Sequence, residues 1–120
     1  MPWCDGSDGV RILERLRGND PTLRELDLSL KGLGDRDAVA LGEALANNDA
    51  LKALDLKQNS VGDAGASALG EALKTNATLQ TLDLYRNSVG DAGASALGEA
   101  LKTNAALQTC LLYTSPSPRD

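Results

Sequence analysis

Three aspartates recur along the chain at a constant spacing. Asp27, Asp55 and Asp83 are each separated by 28 residues. Carboxylates repeated in this way could act as general acids or bases, or could bind a hard cation. Such chemistry usually needs an enclosed site that shifts the carboxylate pKa. The elements described below are expected to place these aspartates on an open surface, so we predict neither catalysis nor a metal site.

Other residue types with catalytic or metal-binding chemistry are scarce. The chain has no histidine, which excludes Ser-His-Asp triads and imidazole ligands. Cys4 and Cys110 lie far apart and form no C-x-x-C motif. Residues 5–9 resemble the start of a calcium loop but lack its remaining spacing and closing Glu, so they indicate a flexible end or an N-cap for a helix beginning near Val10. We predict no cofactor and no enzymatic activity.

Composition and charge narrow the classes of partner. The net charge is −5 and the sequence pI is about 4.6, which argues against a nucleic-acid partner. No run of about 18 apolar residues is present, so no membrane span is expected. The first residues show no basic and apolar pattern of a secretory signal. We therefore expect a cytoplasmic protein whose partner is another protein.

The chain is built from an internal repeat of 28 residues. Full units occupy residues 23–50, 51–78 and 79–106, and a fourth begins at Leu107 and stops matching after Thr109. Upstream, Ile12 to Thr22 corresponds to the helical half of a preceding unit. We divide the chain into an N-terminal end with a partial repeat helix, three repeats with the start of a fourth, and a tail. These segments are residues 1–22, 23–109 and 110–120.

Each unit is predicted to contain one strand followed by one helix. Leu54 and Leu56 alternate as in a strand with one buried face, and Asn59 follows where the chain must turn. Leu69 and Leu73 form the apolar stripe of a helix. Asp63 and Asp91 are predicted N-caps, and Asn76 and Asn104 are predicted to end their helices. Repetition places the strands side by side in a curved parallel sheet with the helices behind it.

The repeat pattern is specific enough to resemble a known family. The second and third units read L-x-x-L-x-L-x-x-N followed by G-x-x-G-x-x-A-L-x-x-A-L. This pattern resembles leucine-rich repeats of the ribonuclease-inhibitor type, which also occur in NOD-like receptors and in Ran GTPase-activating protein. The resemblance covers about residues 12–109. It implies an α/β solenoid, a horseshoe segment with a parallel concave sheet and outer helices.

The first repeat departs from this pattern at two positions. Lys31 stands where the second repeat has Asn59, and Asp37 stands where it has Gly65. Loss of the Asn weakens the predicted asparagine ladder at this end. We interpret the first repeat as looser than the others, or as an older copy.

The tail differs in character from the repeats. Residues 110–120 contain two prolines and do not continue the pattern. They resemble, codon for codon, the translation of an adaptor from transposase-based sequencing libraries, and a disordered interaction tail is the alternative. We expect this segment to be non-native and the natural repeats to continue beyond Thr109.

The differences between repeats two and three indicate where a partner binds. The two repeats differ at five of 28 positions, four of them in the strand or at its end, whereas the helix is unchanged. Ligand contact on the concave sheet face would explain this, although five differences could also arise by chance. The residues that we expect to contact a partner on this face are Asp27, Ala53, Asp55, Lys57, Gln58, Thr81, Asp83, Tyr85 and Arg86.

The aspartate row has two readings at this stage. Carboxylates on neighbouring strands, about 4.8 Å apart, could attract a basic partner. Alternatively, Asp is simply common at this repeat position and favours solubility. The resemblance also leaves alternatives to a simple protein–protein interaction scaffold: a GTPase-activating protein of the Ran-activator type, or the ligand-sensing repeat segment of a NOD-like receptor. No G-x-x-x-x-G-K-[ST] nucleotide-binding loop is present in the sequence.

Overall fold

A computed structural model describes residues 2–111 of the chain, and residues 112–120 of the predicted tail lie outside the described residues. Each 28-residue repeat forms one strand and one helix, as predicted. A short 3-10 helix spans Trp3–Asp5. The α-helices are α1 Ser7–Arg17, α2 Asp35–Leu45, α3 Asp63–Thr75 and α4 Asp91–Thr103, and the strands are β1 Glu25–Asp27, β2 Ala53–Asp55, β3 Thr81–Asp83 and β4 Thr109–Leu111.

The four strands form a parallel sheet in the order β1-β2-β3-β4. Each residue pairs with its equivalent 28 positions later, so Leu26, Leu54 and Leu82 align across the sheet. Cys110 takes the fourth place in this row, opposite Leu82. Two residues of the predicted non-native tail, Cys110 and Leu111, thus belong to β4.

A leucine and alanine core fills the space between the sheet and the helices. The alternation predicted for the strands is confirmed, because Leu54 and Leu56 are almost fully buried. The helical stripe is buried as well, at Leu69 and Leu73. Ala38 and Ala66 are fully buried, and a methyl side chain permits close packing of neighbouring helices.

Two ladders of asparagine side chains join successive repeats. At the strand ends, the Asn59 Nδ2 donates to the carbonyl oxygens of Leu28 and Leu56, and its Oδ1 accepts from the Leu33 N–H. At the helix ends, the Asn76 Nδ2 donates to the Leu45 carbonyl oxygen at 2.7 Å. Asn87 and Asn104 repeat these roles one unit later. The predicted turn and helix-end functions of these asparagines are confirmed.

The predicted N-cap role of Asp63 and Asp91 is wrong. The N-cap positions are Gly62 and Gly90, and each aspartate is the first residue of its helix. The Asp63 Oδ1 instead accepts from the N–H groups of Gly90 and Gly93 in the next repeat, at 2.7 and 3.0 Å. The carboxylate therefore satisfies free N–H groups at the start of the neighbouring helix rather than those of its own.

The first helix confirms the predicted partial repeat but begins earlier than predicted. α1 spans Ser7–Arg17, which is offset by 28 residues from α2, and it begins three residues before Val10. Gly6 occupies its N-cap position. Residues 3–5 form the 3-10 helix instead of a free end, and Asp5 forms a 3.2 Å ion pair with Arg36.

Asp37 has a structural role in the first repeat. Its side chain is buried, with 3% exposure. One carboxylate oxygen accepts from the Gly34 N–H at 2.9 Å, and the other accepts from the Cys4 N–H at 2.8 Å. In later repeats the N–H equivalent to that of Gly34 bonds to an aspartate of the preceding repeat, for example Gly62 to Asp35. Asp37 thus supplies from within its own repeat a contact that a preceding repeat would otherwise make.

Candidate protein-binding surface

The side of the sheet that faces away from the helices is the candidate binding surface. We call it the open face and define it by residues 25, 27, 53, 55, 81 and 83 of the strands and residues 57 and 85, which follow them. The parallel register aligns Asp27, Asp55 and Asp83 in one row and Glu25, Ala53 and Thr81 in a second. The predicted aspartate row is therefore formed.

The aspartates also order the chain that follows each strand. The Asp27 Oδ1 accepts from the Ser29 N–H at 2.9 Å and from the Ser29 hydroxyl at 2.6 Å. Asp55 and Asp83 accept in the same way from the N–H groups of Lys57 and Tyr85. This turn-forming contact gives the row a structural reason that neither sequence reading included.

The electrostatics of the row oppose acid–base catalysis. The pKa of Asp27 lies below its usual value, first because the Ser29 hydroxyl donates to the carboxylate. Asp27 is exposed and stays ionised at neutral pH, so it cannot serve there as a general acid. Lys57 places its Nζ 3.7 Å from the second carboxylate oxygen of Asp55 and partly offsets the negative charge.

A shallow groove runs across the centre of the open face. It encloses about 460 Å³. Ala53 lies between Glu25 and Thr81 in the register, and its small side chain leaves space between these two larger ones. Glu25 was not predicted as a site residue, although it occupies the position at which Ala53 and Thr81 were selected. The groove is lined by Glu25, Leu26, Asp27, Ala53, Leu54, Asp55, Thr81 and Asp83.

Tyr85 and Arg86 form a compact pair beside the groove. The Arg86 guanidinium carbon lies 5.7 Å from the centre of the Tyr85 ring, within cation–π range. Arg86 has a φ of 59° and Gln58 has a φ of 56°, so both adopt the left-handed conformation as the chain leaves the strand. These two side chains are exposed beside the open face, whereas Lys57 and Tyr85 are half-buried.

The opposite, helical surface is uniform. α3 and α4 have identical sequences, and each carries a lysine–glutamate ion pair three residues apart. The Nζ of Lys74 lies 2.9 Å from Glu71, and that of Lys102 lies 3.1 Å from Glu99. These exposed pairs contribute little to stability. The two repeats therefore offer the same helical surface but different strand surfaces.

Nucleophilic and metal-dependent chemistry finds no support in the described part of the chain. Burial raises the pKa of the Cys110 thiol to about 11 and also raises that of Cys4, so both thiols are protonated at neutral pH. Within residues 2–111, no group of His, Cys, Asp and Glu side chains is arranged to hold a metal ion. No helix in the same range is long and apolar enough to cross a bilayer.

Comparison with family models identifies the repeat. The model described as Leucine Rich repeat matches three consecutive segments, residues 19–42, 47–70 and 75–98, which together cover more than half of the chain. This chain belongs to the leucine-rich repeat family. The solenoid with a parallel concave sheet and outer helices, which the sequence resemblance implied, is confirmed for the described residues.

Solved structures show the same leucine-rich repeat fold. The structure of leiomodin-1 actin-binding site 2 matches with a TM-score of 0.70 and 20% identity, covering 95% of this chain and 83% of the other. The C-terminal domain of Caenorhabditis elegans tropomodulin matches with a TM-score of 0.71 and 13% identity, covering 93% of this chain and 86% of the other. No curated protein sequence matches the chain.

Proposed function

We propose that this leucine-rich repeat chain is a protein-binding scaffold and that the open face contacts the partner. The difference between repeats two and three carries this proposal. The substitutions Ala53 to Thr81 and Lys57 to Tyr85 lie on that face, whereas the helices behind it are identical. A face that varies between otherwise identical repeats is suited to recognising different parts of one ligand.

Tyr85 and Arg86 are the proposed anchors of the interaction. Both residue types are enriched at binding hot spots because they combine a large contact area with directed hydrogen bonds. Their cation–π contact holds the two side chains together before a partner arrives. Less side-chain freedom is then lost on binding, which favours affinity.

The structural neighbours support a protein as the class of ligand. The leiomodin-1 structure is described as an actin-binding site. At 20% identity, this likeness concerns the fold and does not identify a partner for this chain. We also propose a cytoplasmic location, which the unpaired thiols of Cys4 and Cys110 support.

The area of the open face sets the expected affinity. Three strands about 4.8 Å apart, with some five residues each at about 3.3 Å, give roughly 240 Å². A standard interface takes about 800 Å² from each partner. We therefore expect weak binding, and capture requires a cross-linking step.

The experiment compares two variants of the full chain that alter opposite surfaces. Tyr85→Lys with Arg86→Gln replaces the anchors by the residues found 28 positions earlier, Lys57 and Gln58, which the scaffold already accepts. Glu71→Ala with Lys74→Ala removes an exposed ion pair from the helical surface. Each chain is cross-linked in an extract of the source cells, and the captured proteins are quantified.

The proposal requires a protein that the chain and the helix variant capture equally and that the strand variant captures at least several-fold less. Circular dichroism and urea unfolding confirm that both variants remain folded. If the helix variant loses the captured protein while the strand variant retains it, the open face is not the binding surface.

A further inference from the structure

The C-terminal face of the stack repeats the contact groups that join earlier repeats. We define this face by Asp91, Ala94, Gly98 and Leu101, all on α4. The equivalent residues 28 and 56 positions earlier lie at the α3–α4 and α2–α3 contacts. Those two contacts therefore show what the C-terminal face is built to bind.

Gly98 shows most directly that this face is open. A Cβ on Gly42 would lie 2.9 Å from the Ala68 carbonyl oxygen, and one on Gly70 would lie 3.1 Å from that of Ala96. Glycine is therefore needed wherever the next helix packs against this position. Within residues 2–111, nothing lies within 4 Å of the equivalent Cβ on Gly98.

The apolar residues of α4 show the same difference. Leu45 and Leu73 are covered by the following repeat and are 2% and 3% exposed. Leu101, their equivalent, is 39% exposed. Ala94 is half-buried, whereas Ala66 is fully buried. Leucine and alanine side chains that are buried at two repeats remain accessible at the third.

Asp91 supplies the polar part of the face. The carboxylates of Asp35 and Asp63 each accept from two glycine N–H groups at the start of the following helix. Asp91 occupies the same helix position and is exposed, and no hydrogen bond to its carboxylate is formed within the described residues. A unit that packs here must present two N–H groups that have no partner within their own helix.

The N-terminal end of a second copy does not meet this requirement. There, the Gly34 N–H is already bonded to Asp37 of its own repeat. The Asp37 side chain also occupies the position at which Gly65 and Gly93 present an N–H to the preceding aspartate. The 3-10 helix packs against α2 and its Cys4 N–H occupies the second oxygen of Asp37.

We propose that the C-terminal face binds a fourth strand–helix unit of the same repeat, carried by the same polypeptide. That unit would present glycines equivalent to Gly90 and Gly93 to Asp91 and would pack a helix against Gly98 and Leu101. This inference is independent of the proposed open-face function. It agrees with the expectation that residues 110–120 replace a continuing repeat.

The test uses the sign of one substitution in two chains. The first is the chain itself, and the second has a copy of residues 82–109 inserted after Thr109, with the tail retained. Gly98→Ala should raise the urea midpoint of the original chain by about 0.5 M, because alanine favours a helix and meets open space. In the extended chain the same change should lower the midpoint, because the added methyl meets the backbone of the new helix.

Gly70→Ala is the matched control and should lower the midpoint in both chains. Several outcomes would overturn the proposal. Gly98→Ala could lower the midpoint of the original chain, could have the same sign in both chains, or the inserted residues could add no helix by circular dichroism. Sedimentation of the original chain tests a second copy as the occupant. A dimer that Gly98→Ala dissociates would assign the face to self-association instead.

Discussion

The two ends of the repeat stack differ at equivalent positions. At the N-terminal end, Asp20, Lys31 and Asp37 replace the asparagines and the glycine that contact a preceding repeat elsewhere in the chain. At the C-terminal end, α4 has the same sequence as α3 and shows no such replacement. The residues of the first end are suited to terminating a stack, and those of the second are suited to continuing it.

Asp20 illustrates how a single substitution ends an asparagine ladder. Asn48 and Asn76 donate their side-chain N–H groups to carbonyl oxygens of the preceding unit. A carboxylate has no such donor, and Asp20 has no preceding unit within the chain. It instead accepts from Arg15 and Thr22 of its own segment. The direction of the stack can thus be read from residues that lose their contact with the preceding repeat.

The largest expected difference between the ends concerns equivalent leucines. Leu73→Ala should lower the free energy of unfolding by about 3 kcal/mol, because it opens a cavity in a packed interface. Leu101→Ala should cost about 1 kcal/mol or less, because that side chain is already accessible to water. Urea denaturation followed by circular dichroism measures both values. Equal losses would show that the C-terminal face is covered and would remove the contrast between the ends.

Asp37→Gly should have the next largest effect, even though it restores the residue of the other repeats. The change leaves the N–H groups of Gly34 and Cys4 without their acceptor, at an expected cost of about 2 kcal/mol. Asp37→Asn keeps one acceptor oxygen and should lose less. Trp3, the single tryptophan, adjoins Cys4 and reports release of this segment through its fluorescence. A Gly variant as stable as the original chain would contradict the capping role of Asp37.

The smallest effect is expected at Asp20 and depends on pH. Hydrogen bonds from the Thr22 hydroxyl and from Arg15 lower the Asp20 pKa from about 3.8 to about 2. Because the folded state favours the ionised form, the contribution is complete above pH 4 and is lost as the pH falls towards 2. Asp20→Asn should remove this contribution. The difference in urea midpoint between chain and variant should shrink from pH 5 to pH 2, and a constant difference would disprove the assignment.

The regular elements could be predicted because their determinants recur within each repeat. The alternation of Leu54 and Leu56 and the stripe of Leu69 and Leu73 fix which faces are buried. The 28-residue period then fixes the parallel order of the strands. The aspartate row follows from the same period without any knowledge of coordinates.

The contacts between repeats were harder to predict. Asp63 has the residue type and position of an N-cap, but its N–H partners lie 27 and 30 residues further along the chain. Local capping rules consider the residue's own helix and therefore assign it to the wrong one. Glu25 was missed because the site was selected from differences between repeats two and three. Including the first repeat at the position of Ala53 and Thr81 would have found it.

The glycine contacts between helices also influence the radius of the solenoid. Strands in the inner layer are about 4.8 Å apart, whereas packed helices in the outer layer are usually 8–10 Å apart. The mismatch bends the stack, and a smaller helix spacing bends it less. Gly42 and Gly70 let the following helix approach through the backbone at Ala68 and Ala96. A longer array of these repeats would consequently trace a wide arc, suited to a partner with a broad and gently convex surface.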